Sequence, residues 1–171
     1  VDIYTYSLEN NLPLLVISWG TNLLFVDEVY EWIIIKNSLR GWKYDEVTKI
    51  LQTSANESIW KIAENIEKIH HNPLWHRFIG LPGSIGGAIY GNAGCFGLET
   101  ESNFLKATVF DMEAGIKKYF DKSHMEFSYR HSMLKEHPEY LLVSATFDLS
   151  KKIEKYHSDV DNIDFRENKQ P

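Results

Sequence analysis

Gly80-Leu81-Pro82-Gly83-Ser84-Ile85-Gly86-Gly87-Ala88-Ile89-Tyr90-Gly91-Asn92-Ala93-Gly94-Cys95-Phe96-Gly97 decides how the rest of the chain is read. Seven of these eighteen residues are glycine, against ten in the whole sequence. Glycine reaches positive φ cheaply and lets backbone N–H groups approach a ligand with no side chain in the way. Successive amides bared in this manner form concavities that suit anions, above all phosphate oxygens. Ile79, Leu81, Ile85 and Ile89 give the run an apolar frame, which fastens it to a core and distinguishes it from a linker. It reads as a place where backbone wraps a phosphorylated cofactor. A turn cluster with no ligand is the plainer alternative, and it leaves the entropic cost of so many glycines unexplained.

The surrounding chain has 171 residues, 43% hydrophobic and 25% charged, which fits one domain, or one and a part, with a real core. Its net charge of −6 and the lack of any long Lys/Arg run argue against nucleic acid as the main partner. No stretch of about 18 apolar residues is present, so no membrane span is expected. Val1-Asp2-Ile3-Tyr4 lacks the basic-then-apolar layout of a signal peptide, and the expected setting is cytoplasmic. A single cysteine, Cys95, excludes an internal disulfide framework and a cysteine-rich zinc site. It reads as a small buried residue, with a redox role as the alternative. His70, His71 and His76 have no acidic residue between them, and no metal site is expected.

Short β-branched runs dominate the first third: Leu14 to Ser18, Leu23 to Val26, Trp32 to Lys36 and Val47 to Gln52 are expected strands. The period then changes, with Ile59, Ile62, Ala63, Ile66 and Ile69 on one helical face behind Asn56 or Ser58 as N-cap. After the glycine run, Leu105 to Met112 and Ile116 to Asp121 flank an Ala114-Gly115 turn and read as a hairpin. Glu126 to Arg130 and Tyr140 to Leu149 are further expected strands. Residues 150–171 carry Ile153, Tyr156, Val160 and Ile163 at helical spacing and read as a connecting helix. The sum is an α+β protein. Its first unit is expected over about 1–53 and its second over about 54–149.

Three segments, in order, resemble the flavin domain of the UDP-N-acetylenolpyruvoylglucosamine reductase family. They are Ser18-Trp19-Gly20-Thr21-Asn22-Leu23-Leu24, the Gly80–Gly97 run followed by Glu99, and Phe127-Ser128-Tyr129-Arg130-His131-Ser132. Arg166-Glu167-Asn168-Lys169-Gln170-Pro171 is similar to the family's approach to its next motif. The resemblance implies the FAD-binding fold of the vanillyl-alcohol-oxidase/PCMH type, two α+β subdomains with FAD between them. It implies cofactor contacts from Ser18, Trp19, Gly20, Thr21, Asn22, Leu23 and Leu24. A second set comprises Leu81, Pro82, Gly83, Ser84, Gly86, Gly87, Ala88, Asn92, Ala93 and Gly94, with Val143 in the last strand. The residues agree with that chemistry: Asn22 offers donor and acceptor, while Thr21 and Ser84 add hydroxyls. The glycines do not follow the GxGxxG spacing of the dinucleotide fold.

The resemblance further implies NADPH as hydride donor, a UDP-sugar substrate, a role in peptidoglycan synthesis and a monomeric enzyme. Arg130 is the implied catalytic residue, because a permanently charged guanidinium stabilises planar negative charge on an enolpyruvyl carboxylate. Without the motif it would read as a surface ion pair, with Glu126 as partner. Tyr129 would orient flavin or substrate through its hydroxyl, and Ser132 would hold the turn. Trp19 stands where the family has glycine, Thr21 where it has serine, and Cys95-Phe96 where it has Ala-Tyr. The family's proton-donating serine and a later glutamate follow the Gln-Pro that closes this sequence, so the chain reads as a cofactor domain that does not complete the reaction alone. Another flavin oxidoreductase of the same fold and a non-catalytic flavin- or nucleotide-binding module are the competing readings.

Overall fold

The computed structural model describes residues 2–26 and 29–151. The main body is a five-stranded antiparallel sheet of β3 (Trp42–Tyr44), β4 (Ile50–Ser54), β7 (Phe104–Asp111), β8 (Ile116–Asp121) and β9 (Tyr140–Asp148), in the order β3-β4-β9-β7-β8. One face is apolar, since Leu51, Ala107, Val109, Ala145 and Phe147 are buried. The other is polar and open: Gln52, Ser54, Lys106, Thr108, Ser144 and Thr146 line a shallow depression of about 490 Å³ there. Alternation along each strand produces the two faces.

Helix α2 (Ile59–His70) covers the apolar face with Ile59, Ile62, Ala63 and Ile66. Each buried isoleucine contributes about 2 kcal/mol. Ser58 caps the helix by accepting the Lys61 amide at 3.2 Å. Its C-terminus closes at His71, at φ +52°, whose amide donates to the Glu67 carbonyl at 3.1 Å, while the Asn72 amide donates to the Ile66 carbonyl at 3.4 Å. A 3-10 turn, Pro73–Phe78, then drops Trp75 and Phe78 into the core. Trp75 meets Phe78 and Phe147 edge-on, at centroid distances of 5.4 and 4.9 Å. Such pairs add about 1 kcal/mol beyond the area they bury.

The N-terminal part is smaller. α1 (Asp2–Glu9) precedes β1 (Leu14–Ile17), which pairs in parallel with β2 (Ile33–Lys36), Leu14 opposite Ile33. Asp2, Ile3 and Tyr4 of α1 line a cavity of about 280 Å³ with Ile35 of β2 and with Phe110, Met112 and Leu141 of the large sheet. Polar tethers join the parts: Asn37 Nδ2 donates to the Leu142 carbonyl at 3.2 Å, and the Ser18 hydroxyl donates to Asn56 Oδ1.

Several expectations are corrected here. Leu23–Val26 forms no strand; the Leu23 amide turns back to the Gly20 carbonyl at 3.2 Å. Glu126–Arg130 is a turn, because Glu126 and Arg130 both take positive φ, +48° and +56°, and only Ser128 and His131 bridge. The strand expected over Val47–Gln52 runs Ile50–Ser54, since Asp45 draws the amides of Val47 and Thr48 onto its carboxylate and makes a turn of the preceding residues. Ile69 projects outward, 61% exposed. Strands β3 and β4, residues 42–54, hydrogen-bond into the large sheet, while β1 and β2 pair only with each other. The connecting helix expected to follow lies, beyond Lys151, outside the described residues.

Candidate cofactor site

Two glycine-bearing turns meet between the small parallel pair and the edge of the core. The first follows β1. Gly20, at φ +73°, reverses the chain across Thr21-Asn22. Trp19, Gly20, Thr21, Asn22, Leu23 and Leu24 are all exposed. Among the described residues the amides of Trp19, Gly20, Thr21 and Asn22 have no acceptor. The second turn enters at Gly83, at φ +143°, a backbone conformation that a side chain disfavours strongly. A Cβ built on Gly83 would lie 3.6 Å from the Thr21 hydroxyl, so the two turns are neighbours. The amides of Gly83 and Ser84 likewise have no acceptor among the described residues.

From Ile85 onward the expected loop is a helix, α3 (Ile85–Tyr90), capped by Ser84, whose hydroxyl accepts the Gly87 amide at 3.1 Å. The first amides of this helix are taken by the protein itself. Ile85 donates to the Glu57 carbonyl at 2.8 Å, Gly86 to Ala55 at 2.7 Å and Ala88 to Ser84 at 2.9 Å. Gly86 also has a packing reason: a Cβ there would stand 3.1 Å from the Ala55 carbonyl oxygen. Gly94 has another, with Glu99 Cγ at 2.9 Å from its built Cβ. The backbone amides of Gly86, Gly87 and Ala88 thus hold the segment together, and a ligand is left with Gly83 and Ser84.

The remaining members of the predicted set are mostly engaged within the protein. Leu81 is half-buried against the core and Pro82 is exposed. Asn92 is fully buried; its Nδ2 faces Glu99 and Glu101 at 3.3 Å and the Ser128 carbonyl at 3.1 Å, and its Oδ1 accepts the Glu101 amide. It locks the glycine run to the Tyr129–Arg130 turn. The Ala93 carbonyl accepts both the amide and hydroxyl of Thr100. Gly94 pairs with Glu99 in the short ladder of β5 (Gly94–Cys95) and β6 (Leu98–Glu99). Val143 supports from beneath, its carbonyl accepting the Ala55 amide at 2.9 Å. Cys95 is half-buried, and its thiol donates to the Arg77 carbonyl at 2.8 Å.

Arg130 extends to the far end of the glycine run, where Nη2 donates to the Gly94 carbonyl at 3.3 Å. Its guanidinium lies 5.4 Å from the ring centre of Tyr129, which is 81% exposed. Buried Ser132 donates to the Tyr90 carbonyl at 2.9 Å and so fixes this turn to α3. His70 and His76 meet different carboxylates, Glu46 at 2.5 Å and Glu67 at 2.7 Å.

Sequence reading missed the acceptors that occupy the helix amides, the carbonyls of Ala55 and Glu57. A carbonyl common to every residue leaves no signature in a sequence. It missed Arg40 as well, whose guanidinium sits 5.7 Å from the Trp19 ring centre and 3.7 Å from Glu57. Among the described residues no helix is long and apolar enough to cross a membrane.

No family model matches the chain. It is similar to the UDP-N-acetylenolpyruvoylglucosamine reductase of Fervidobacterium nodosum, 34% identical over 158 residues that cover 91% of this chain and 50% of that protein. The Petrotoga mobilis protein of the same name is 30% identical over 155 residues, covering 88% and 50%. The chain spans about half the length of the curated relatives it matches. Among solved structures it resembles the Thermus caldophilus UDP-N-acetylenolpyruvylglucosamine reductase, at TM-score 0.58 and 20% identity over 94% of this chain and 56% of that one. Cholesterol oxidase from Brevibacterium sterolicum has TM-score 0.58 at 15% identity, over 86% and 31%. At these identities the structures speak for the fold alone. The chain is a relative of the UDP-N-acetylenolpyruvoylglucosamine reductases over about half their length, and it has the α+β fold of the vanillyl-alcohol-oxidase/PCMH-type FAD-binding domain.

Proposed function

We propose that this chain is the FAD-binding part of a UDP-N-acetylenolpyruvoylglucosamine reductase that uses NADPH to form UDP-N-acetylmuramate, working as a cytoplasmic monomer. One observation carries the reading. Thr21 and Gly83 approach each other, so that backbone amides without acceptors among the described residues lie on two neighbouring turns. A pyrophosphate is an anion with acceptor oxygens on both sides, and paired amide turns satisfy it without a cation. The hydroxyl of Thr21 and the amide of Asn22 extend the same donor set.

Bound FAD supplies the relay of hydride between NADPH and the enolpyruvyl double bond. The chain's own residues do the rest of this half's work. Arg130, braced by the Gly94 carbonyl, offers a planar charge to the substrate carboxylate as electron density develops on it. Tyr129, exposed beside it, orients the same region through its hydroxyl.

The chain mixed with FAD and passed through a desalting column should stay yellow with the absorbance of oxidised flavin. A colourless eluate contradicts the proposal. In the longer enzyme, Arg130→Ala should lower turnover by about 10²-fold while FAD binding is kept. Unchanged turnover removes Arg130 from its role.

A further inference from the structure

An indole beside an open backbone turn needs an account, and its neighbours supply one. Trp19 is 38% exposed, immediately before Gly20. One side of it is held: the Arg40 guanidinium lies 5.7 Å from the ring centre. Arg40 is held in turn by Glu57 at 3.7 Å, whose other carboxylate oxygen accepts the Gly41 amide at 2.7 Å. The Glu57 carbonyl takes the first amide of α3. The ring is thus connected through two charged side chains to the segment that positions Gly83 and Ser84.

On the reading that a flavin dinucleotide binds at the two neighbouring turns, we infer that Trp19 is an aromatic platform on which the adenine ring stacks. A dinucleotide whose phosphates lie on the amides between the turns carries its two ring systems to opposite ends. Arg130, bonded to Gly94, marks the far end of the glycine run; Trp19, on the Arg40–Glu57 side, marks the other. Purines stack on aromatic side chains with sequence-tolerant affinity. The cation on the supporting side keeps the indole from rotating onto the protein.

The test uses ADP and FMN as separate probes of the two halves, with intrinsic fluorescence and calorimetry as readouts. ADP should quench tryptophan emission of the wild-type chain, and Trp19→Ala should abolish most of that quench and weaken ADP about tenfold. Trp19→Phe should retain most of the ADP affinity, and FMN affinity should be equal in all three proteins. ADP bound equally by Trp19→Ala and wild type overturns the platform while leaving the flavin reading intact, provided FAD still binds. The platform is also overturned if FMN weakens as much as ADP in Trp19→Ala, or if the wild type binds FAD but shows no affinity for ADP. A wild type that binds neither FAD nor ADP overturns both readings.

Discussion

The first glycine-bearing turn and the helix that follows the second use their backbones in opposite ways. In residues 19–22 the amides have no acceptor among the described residues and the residues are exposed. In residues 85–88 every amide has a protein acceptor, from Glu57, Ala55, the Ser84 hydroxyl and the Ser84 carbonyl. The richer stretch is therefore mostly architecture, and the poorer one keeps its backbone donors free of acceptors among the described residues. Glycine count marks close approach of backbone to something; only the acceptor inventory says whether that something is a ligand or another part of the chain.

Gly86→Val should produce the largest effect. Its Cβ meets Ala55 at 3.1 Å and 3.3 Å, and branching adds atoms where no space exists. Overpacking of this kind costs about 3 kcal/mol, read as a lower urea midpoint with unchanged slope. A midpoint within error of wild type would break the contrast. Asn22→Ala probes the other turn. FAD affinity should fall about tenfold, or about 1.4 kcal/mol, with the unfolding midpoint unmoved. Loss of stability without loss of affinity would exchange the roles of the two turns. Ser84→Ala removes the cap that joins them and should cost about 1 kcal/mol of stability. Thermal denaturation measures it.

The smallest effect is a control from a fully satisfied turn. The Ala114 amide, and then the Lys118 ammonium, hold the Asp111 carboxyl below the usual carboxylate range. A depressed folded-state pKa contributes stability above the unfolded value of about 4, and that contribution disappears as pH falls through the lower folded value. Asp111→Asn should therefore lower stability at neutral pH and flatten the loss of stability below about pH 4. An acid limb identical to wild type would contradict this.

What was legible followed from periodicity. Ile59, Ile62, Ala63 and Ile66 announce α2, and the Ala114-Gly115 turn announces the β7–β8 hairpin. The last strand, β9, is strongly β-prone and forms as expected. What was hidden depends on tertiary partners. α3 contains two glycines and a β-branched residue at its start, a poor intrinsic helix, and it forms because Ala55 and Glu57 receive its amides. β3 is three residues long, too short for a period, and exists because Trp42–Tyr44 pairs with Leu51–Thr53. For the candidate site, the motifs point to the two turns that the structure makes neighbours and to Arg130. They did not distinguish Asn92, whose amide is spent on Glu99, Glu101 and Ser128, from residues whose polar groups face outward.

The most direct test is the amide spectrum of isotopically labelled chain as FAD is added. Peaks of Gly20, Thr21, Asn22, Gly83 and Ser84 should move together and become protected from hydrogen exchange, while those of Ile85 to Ala88 keep the protection they already have. Movement confined to Ile85–Ala88, with the 20–22 turn unchanged, would contradict the division of labour on which the account stands.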